Sequence, residues 1–188
     1  MGEKVMVDFP AFLTRDSETR HLLVGDDSHV LLGNSIIAEL YNQLFNAVGY
    51  EETGRIIYES ARRGTYRSQK DLIKAYRISL KNEEELTSRI ARFPLYIQTY
   101  GHGKGKTVKK GEEPVFSVEN SSVAQYLKST GLGKTVCFFL AGFFAGMAEA
   151  YAELLEPSRT YKCVETACIA RGDARCEFRL TPQKTEQL

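Results

Sequence analysis

All four cysteines of this chain fall in one stretch, Cys137, Cys163, Cys168 and Cys176, with the carboxylate Glu165 among them. Thiolates gather for disulfides or for soft metals. Zinc takes four ligands in a tetrahedron and accepts both thiolate and carboxylate. Cys168 and Cys176 flank the short turn 169–175, Glu165 lies on the strand that enters it, and Cys137 stands where a long apolar helix begins. Spacing alone leaves three readings open: a metal site, buried free thiols behaving as small hydrophobes, or a disulfide. On an extended strand Cys163 and Glu165 share one face, so either could complete a set with Cys137, Cys168 and Cys176.

The elements that must position these groups are legible from periodicity. Val136 to Leu155 reads as an apolar helix closed by Pro157. Thr160–Thr166 and Cys176–Leu180 read as two strands joined by a turn at Arg171-Gly172-Asp173. Upstream, a small hairpin is expected from His21–Val24 and His29–Leu32 around Gly25-Asp26-Asp27. A helix follows from Asn34 to Gly49, with Ile36, Ile37, Leu40, Tyr41, Leu44, Phe45 and Val48 at helical spacing. A second helix is expected over Glu51–Tyr66, and Gln69–Lys81 leans helical. Asn82 caps another helix, with Glu83, Glu84 and Glu85 at its positive end and Pro94 as its stop. Leu95–Tyr100 then reads as a strand leading into the loop G-H-G-K-G-K, with Val115–Val118 as its hairpin partner. Asn120 is the expected cap of a short helix over Ser121–Ser129, and Pro182–Leu188 reads as a frayed tail. Helices followed by antiparallel hairpins indicate an α+β domain.

The chain has 188 residues, 43% hydrophobic and 26% charged, which suits one globular domain over about 1–182, residues 1–30 forming an N-terminal extension. A net charge of +1 gives no global field for nucleic acid, and the run Lys104, Lys106, Lys109, Lys110 reads as a solvated loop. No signal peptide and no membrane span are expected, which points to a cytoplasmic, reducing setting and counts against disulfides.

The run C-x-x-x-x-G-x-x-x-G (Cys137, Gly142, Gly146), followed by E-x-x-C-x-x-x-G-D-x-x-C-x-F (Glu165, Cys168, Gly172, Asp173, Cys176, Phe178), resembles the 4-vinyl reductase domain family over roughly 135–180. The resemblance implies helices packed on an antiparallel sheet, the fold shared with TRAPP vesicle-tethering subunits and known for ligand binding in NO signalling and Golgi transport. It implies a homodimer and a small-molecule-binding module like the sensor domains of phenol- and xylene-responsive activators. It also implies a structural Zn2+ held by Cys137, Glu165, Cys168 and Cys176, which leaves Cys163 a packing role. Unlike those activators, this sequence carries no G-x-x-x-x-G-K-[ST] and no clear helix-turn-helix, so it reads as a stand-alone domain that signals to a separate protein partner.

Three functions compete. A sensory module for an apolar or aromatic small molecule would use Phe138, Phe139, Phe143, Phe144 and Met147, with Tyr41, Phe45, Tyr96 and Phe116 adding aromatic surface; core packing is the plain competing account of each. A tetrapyrrole vinyl reductase needs a hydride carrier, but no G-x-G-x-x-G is present, and four protein ligands close a zinc site. A protein-interaction scaffold like the tethering subunits needs no pocket at all. His21, His29 and His102 show no mutual spacing that suggests a site. Gly142 and Gly146 form a small-residue face that lets another element approach closely.

Overall fold

The computed structural model describes residues 13–15, 17–19, 22–24, 27–29, 33–110 and 113–183. It divides into two units, residues 1–31 and residues 32–188. In the first, β1 (Leu13–Arg15), β2 (Leu22–Val24) and β3 (Asp27–His29) form an antiparallel sheet in that order. The expected hairpin is therefore present, but its second strand begins at Asp27, which pairs with Val24.

The second unit is an α+β layer structure. Its sheet is antiparallel in the order β4-β5-β7-β6, built from β4 (Lys104–Lys110), β5 (Glu113–Glu119), β6 (Thr160–Ala167) and β7 (Cys176–Gln183). Six helices accompany it: α1 (Asn34–Val48), α2 (Tyr50–Ala75), α3 (Glu83–Ile90), α4 (Phe93–Thr99), α5 (Ser122–Lys128) and α6 (Phe138–Ala152). Twelve of the 15 residues of α6 are buried, so it is the central helix and not an amphipathic one. On one side Phe144 meets Phe116 and Phe178 of the sheet, with ring centroids 4.8 and 5.4 Å apart. On the other side it packs against α2.

The α2–α6 seam depends on two glycines. A Cβ on Gly142 would lie 2.2 Å from the Tyr58 carbonyl oxygen, and one on Gly146 would lie 2.2 Å from that of Arg62. The same face of α6 continues, at helical spacing, into Glu149 and Glu153. There the seam becomes polar. Arg62 donates to both Glu149 oxygens at 2.8 Å, Glu149 accepts from the Tyr161 amide at 3.0 Å, and Glu153 accepts from Lys70 at 2.9 Å and from the Tyr66 hydroxyl.

Several sequence expectations need correction. Leu95–Tyr100 is not a strand but part of α4. Phe93, Pro94 and Ile97 are buried while Leu95 and Gln98 are exposed, a helical and not a two-residue period. Pro94 sits in the first turn, where its missing N–H costs nothing, so it starts a helix and does not merely end one. The lysine run is not a loop but edge strand β4, paired through Val108 with Val115 of β5. Lys104, Lys106 and Lys110 are exposed on that edge, where charge discourages further strand pairing. Gly105 lets α4 lie on this strand, since a Cβ there would meet the Pro94 carbonyl oxygen at 2.1 Å. The expected second helix and the helix-leaning segment after it are one continuous α2, because nothing between Tyr66 and Gln69 breaks it.

Asn82 caps α3 as expected, accepting from the Glu85 amide at 3.0 Å. Asn120 does not cap α5; Ser121 holds that position and Asn120 takes a left-handed φ of 57°. β7 runs on to Gln183, and the rest of the expected tail lies outside the described residues. No helix among the described residues is long and apolar enough to cross a membrane.

Candidate metal centre

Four elements meet where α6 begins. Cys137 caps the helix, β6 brings Glu165, the residue just after β6 is Cys168, and β7 starts at Cys176. The register of β6 on β7 explains how. Glu165 pairs with Phe178 but Ala167 pairs with Glu177, so Thr166 is an extra residue that bulges the strand. A bulge bends its strand and re-aims the side chains beside it, and here it turns Glu165 and Cys168 toward one point.

The turn beyond is tightly held. Asp173 accepts from the Cys168 amide at 2.8 Å and its own amide returns a bond to the Cys168 carbonyl at 3.1 Å. Gly172 takes a φ of 105° that a larger residue would resist. Arg171 pairs with Asp173 and donates to the Thr166 carbonyl at 2.9 Å, which ties the turn to the bulge.

The three sulfurs and one carboxylate oxygen all lie within 4.8 Å of one another. Cys137 Sγ is 3.6 Å from Cys176 Sγ, which is 3.9 Å from Cys168 Sγ. Ligands on a tetrahedral zinc with bonds of about 2.3 Å stand about 3.8 Å apart. All four cysteines are free and buried, and Cys163 lies outside the cluster, its amide donating to the Tyr58 hydroxyl at 3.2 Å.

Electrostatics point the same way. Burial, then the Cys168 charge, push the Glu165 carboxyl up to about 8. Hydrogen bonds from Cys137 and then Cys176 pull the Cys168 thiol far down, whereas Cys137 is raised by its bonds with Cys168 and Cys176 and by burial. The pocket thus holds one thiolate comfortably and resists further negative charge unless a cation enters. Glu165 Oε2 accepts from the Cys137 amide at 2.8 Å, but Oε1 is buried without any partner, and such an oxygen is costly unless something fills the space it faces. The Ile169 amide donates to Cys176 Sγ at 3.4 Å, and the N-terminus of α6 also favours negative charge at Cys137. The donor set and its geometry fit a tetrahedral divalent metal ion.

A small cavity of about 10 Å³ adjoins Cys137, lined also by Tyr41, His102, Ser121, Val123, Phe139 and Leu140. His102 stacks at 5.5 Å on Phe139, and burial lowers its pKa. Ser121 Oγ lies 3.5 Å from Cys137 Sγ. Sequence reasoning missed both; the only signal for His102 was the pair of glycines flanking it, both of positive φ.

Of the aromatic candidates on α6, only Phe139 borders this cavity, and it is 39% exposed. Phe144 and Met147 are fully buried in the core. Phe138 packs on Gly54 and on the rings of Tyr41 and Tyr50, and Phe143 on Tyr100 and Phe139. Of the other aromatics, Phe45 stacks on Tyr50, Phe116 meets Phe93 and Phe144, and Tyr96 packs against the core from α4.

Residues 114–182 match the family model of the 4-vinyl reductase domain. The fold is similar to that of the phenol-responsive sensory domain of the transcription activator PoxR solved with phenol, with a TM-score of 0.72 and 16% identity over 91% of this chain and 85% of that one. It is also similar to a trafficking protein particle complex subunit 3 from Naegleria fowleri covalently bound to palmitic acid, with a TM-score of 0.53 and 12% identity over 80% and 95% of the two chains. A vinyl-4-reductase family protein from Methanocaldococcus jannaschii aligns over 86% of this chain and 87% of its own, with a TM-score of 0.46 and 16% identity. No curated protein sequence matches that of this chain.

Proposed function

We propose that this chain, which carries a 4-vinyl reductase domain over residues 114–182, is a zinc-stabilised sensory domain for an apolar or aromatic small molecule. The observation that carries the metal assignment is the convergence of Cys137, Glu165, Cys168 and Cys176 within 4.8 Å. Four protein ligands fill a tetrahedron, so the zinc has a structural role: it ties the start of the central helix to the β6–β7 turn.

Support for ligand binding comes from the fold shared with a phenol-responsive sensory domain and from the cavity beside Cys137. At about 10 Å³ that cavity holds one water. A phenol-sized ligand enters when Phe139 and His102, stacked over its mouth, swing outward. Tyr41 and His102 then supply polar groups in an otherwise apolar site, as small-molecule pockets require. The domain acts as a homodimer that passes its signal to a separate protein partner, in a cytoplasmic setting.

Thermal-shift titration of the zinc-loaded protein with phenol tests the reading, with His102→Phe as control. Saturable stabilisation by phenol, lost in the variant while zinc content is unchanged, is the expected result. No stabilisation by any of a panel of phenols and alkylbenzenes would favour the second reading, an interaction scaffold. That reading draws on the solid burial of α6 and on exposed Ile36 and Leu40 of α1.

A further inference from the structure

Past Gly146 the α2–α6 seam opens into a cleft of about 410 Å³. One wall is α2, with Arg62, Arg63, Tyr66 and Arg67; the other is Glu149 and Glu153 of α6 and the connection Ser158–Thr160. It lies about 18 Å along the helix from Cys137, so it is separate from the metal centre.

The acceptors of the cleft are saturated. Glu149 takes two bonds from Arg62 and one from the Tyr161 amide, and Glu153 is filled by Lys70 and Tyr66. Arg159 is likewise committed, to Glu83 and Glu156. The donors are not saturated. Arg67 has no ion-pair partner among the described residues, and Arg63, one turn before it, reaches only Glu59 at 3.6 Å. On the facing wall the hydroxyls of Ser158 and Thr160 make no hydrogen bond among the described residues. Ser158 is moreover held at a φ of 78°, which costs a non-glycine residue energy and recurs at ligand sites.

With their ion-pair partners counted, the charges around the cleft balance: Arg62, Arg63, Lys70, Arg67 and Arg159 against Glu59, Glu83, Glu149, Glu153 and Glu156. A ligand is therefore selected by the acceptors it brings more than by net field. Two guanidiniums and two hydroxyls on opposite walls offer more donors than the two oxygens of a carboxylate can use, and they suit the three oxygens of a phosphate ester. The volume exceeds that of a bare phosphate and leaves room for an attached polar group.

The geometry points to a binding site for a small organic phosphate monoester in this cleft, gripped by Arg63 and Arg67 from α2 and by Ser158 and Thr160 from the α6–β6 connection. Isothermal titration calorimetry of the full chain with glycerol phosphate, inorganic phosphate and glycerol tests it. Glycerol phosphate is expected to bind one per chain at millimolar concentration or below, and glycerol not at all. Arg67→Gln weakens that binding about tenfold, the loss expected from one charge-assisted contact, with Tm and zinc content unchanged because the side chain is exposed. Ser158→Gly keeps the left-handed backbone, removes the hydroxyl and also weakens binding, without loss of stability. Absence of saturable binding, or an Arg67→Gln variant that binds like the parent, overturns the site. Inorganic phosphate binding as tightly as the ester overturns the assignment to an ester. None of these outcomes depends on the metal centre or on phenol.

Discussion

Cys137 and Cys176 stand 39 residues apart in sequence, yet their sulfurs lie 3.6 Å apart, one at the start of the central helix and the other at the start of β7. That separation matches one edge of a tetrahedron around zinc and closes a loop holding all of α6 and β6.

The purified protein is expected to carry one zinc per chain. Cys168→Ser and Cys176→Ser should lose it, and Cys163→Ser should keep it, because Cys163 lies outside the cluster. Elemental analysis of the four proteins checks this. Equal loss in Cys163→Ser would refute the ligand set.

Removing the metal should destabilise the domain. Structural zinc contributes on the order of 10 kcal/mol of apparent binding free energy, so even partial loss should lower Tm by on the order of 10 °C in a domain this size. Calorimetry with and without chelator measures it, and an unchanged Tm would count against a structural role.

Zinc affinity should weaken as the pH is lowered. In the metal-free protein Glu165 keeps its proton up to about 8, so below that pH the ion must displace it. Each unit of acidification then weakens binding by up to about tenfold for this proton alone. Glu165→Gln should make the slope shallower by one proton, as read from competition with a chromophoric chelator. An identical slope would mean that the thiols carry the whole dependence.

Gly146→Ala should destabilise by about 1–3 kcal/mol, since the new methyl meets the Arg62 carbonyl at 2.2 Å and α2 must move. Zinc content should survive, which separates a seam defect from a site defect. Chemical denaturation and elemental analysis read the two in turn.

Glu149→Ala should cost about 2–3 kcal/mol, because it strips a nearly buried carboxylate from Arg62 and from the Tyr161 amide. Arg62, about a quarter exposed, recovers some water, which holds the cost below that of a fully buried pair. A double-mutant cycle with Arg62→Ala isolates the coupling, and a value near zero would contradict this account.

The sequence by itself determined the central helix, the hairpin that follows it, the capping of α3 and the α+β class, because each rests on local period or local turn chemistry. It also held the motif residues Cys137, Glu165, Cys168 and Cys176, though spacing alone left Cys163 as an equal candidate. Only the tertiary structure decided between them. The Thr166 bulge, invisible in composition, turns Glu165 and Cys168 to one point and leaves Cys163 outside. The same holds for α4 and β4. Leu95–Ile97 is short and apolar, and Lys104–Lys110 is dominated by lysine, so neither carries a period that names its state. Each takes its form from packing, as α4 presses Pro94 onto Gly105 and β5 supplies the hydrogen bonds that draw β4 into the sheet. His102, Ser158 and the arginine cleft were unreadable for the same reason: their neighbours come from distant elements, and only the folded chain brings them together.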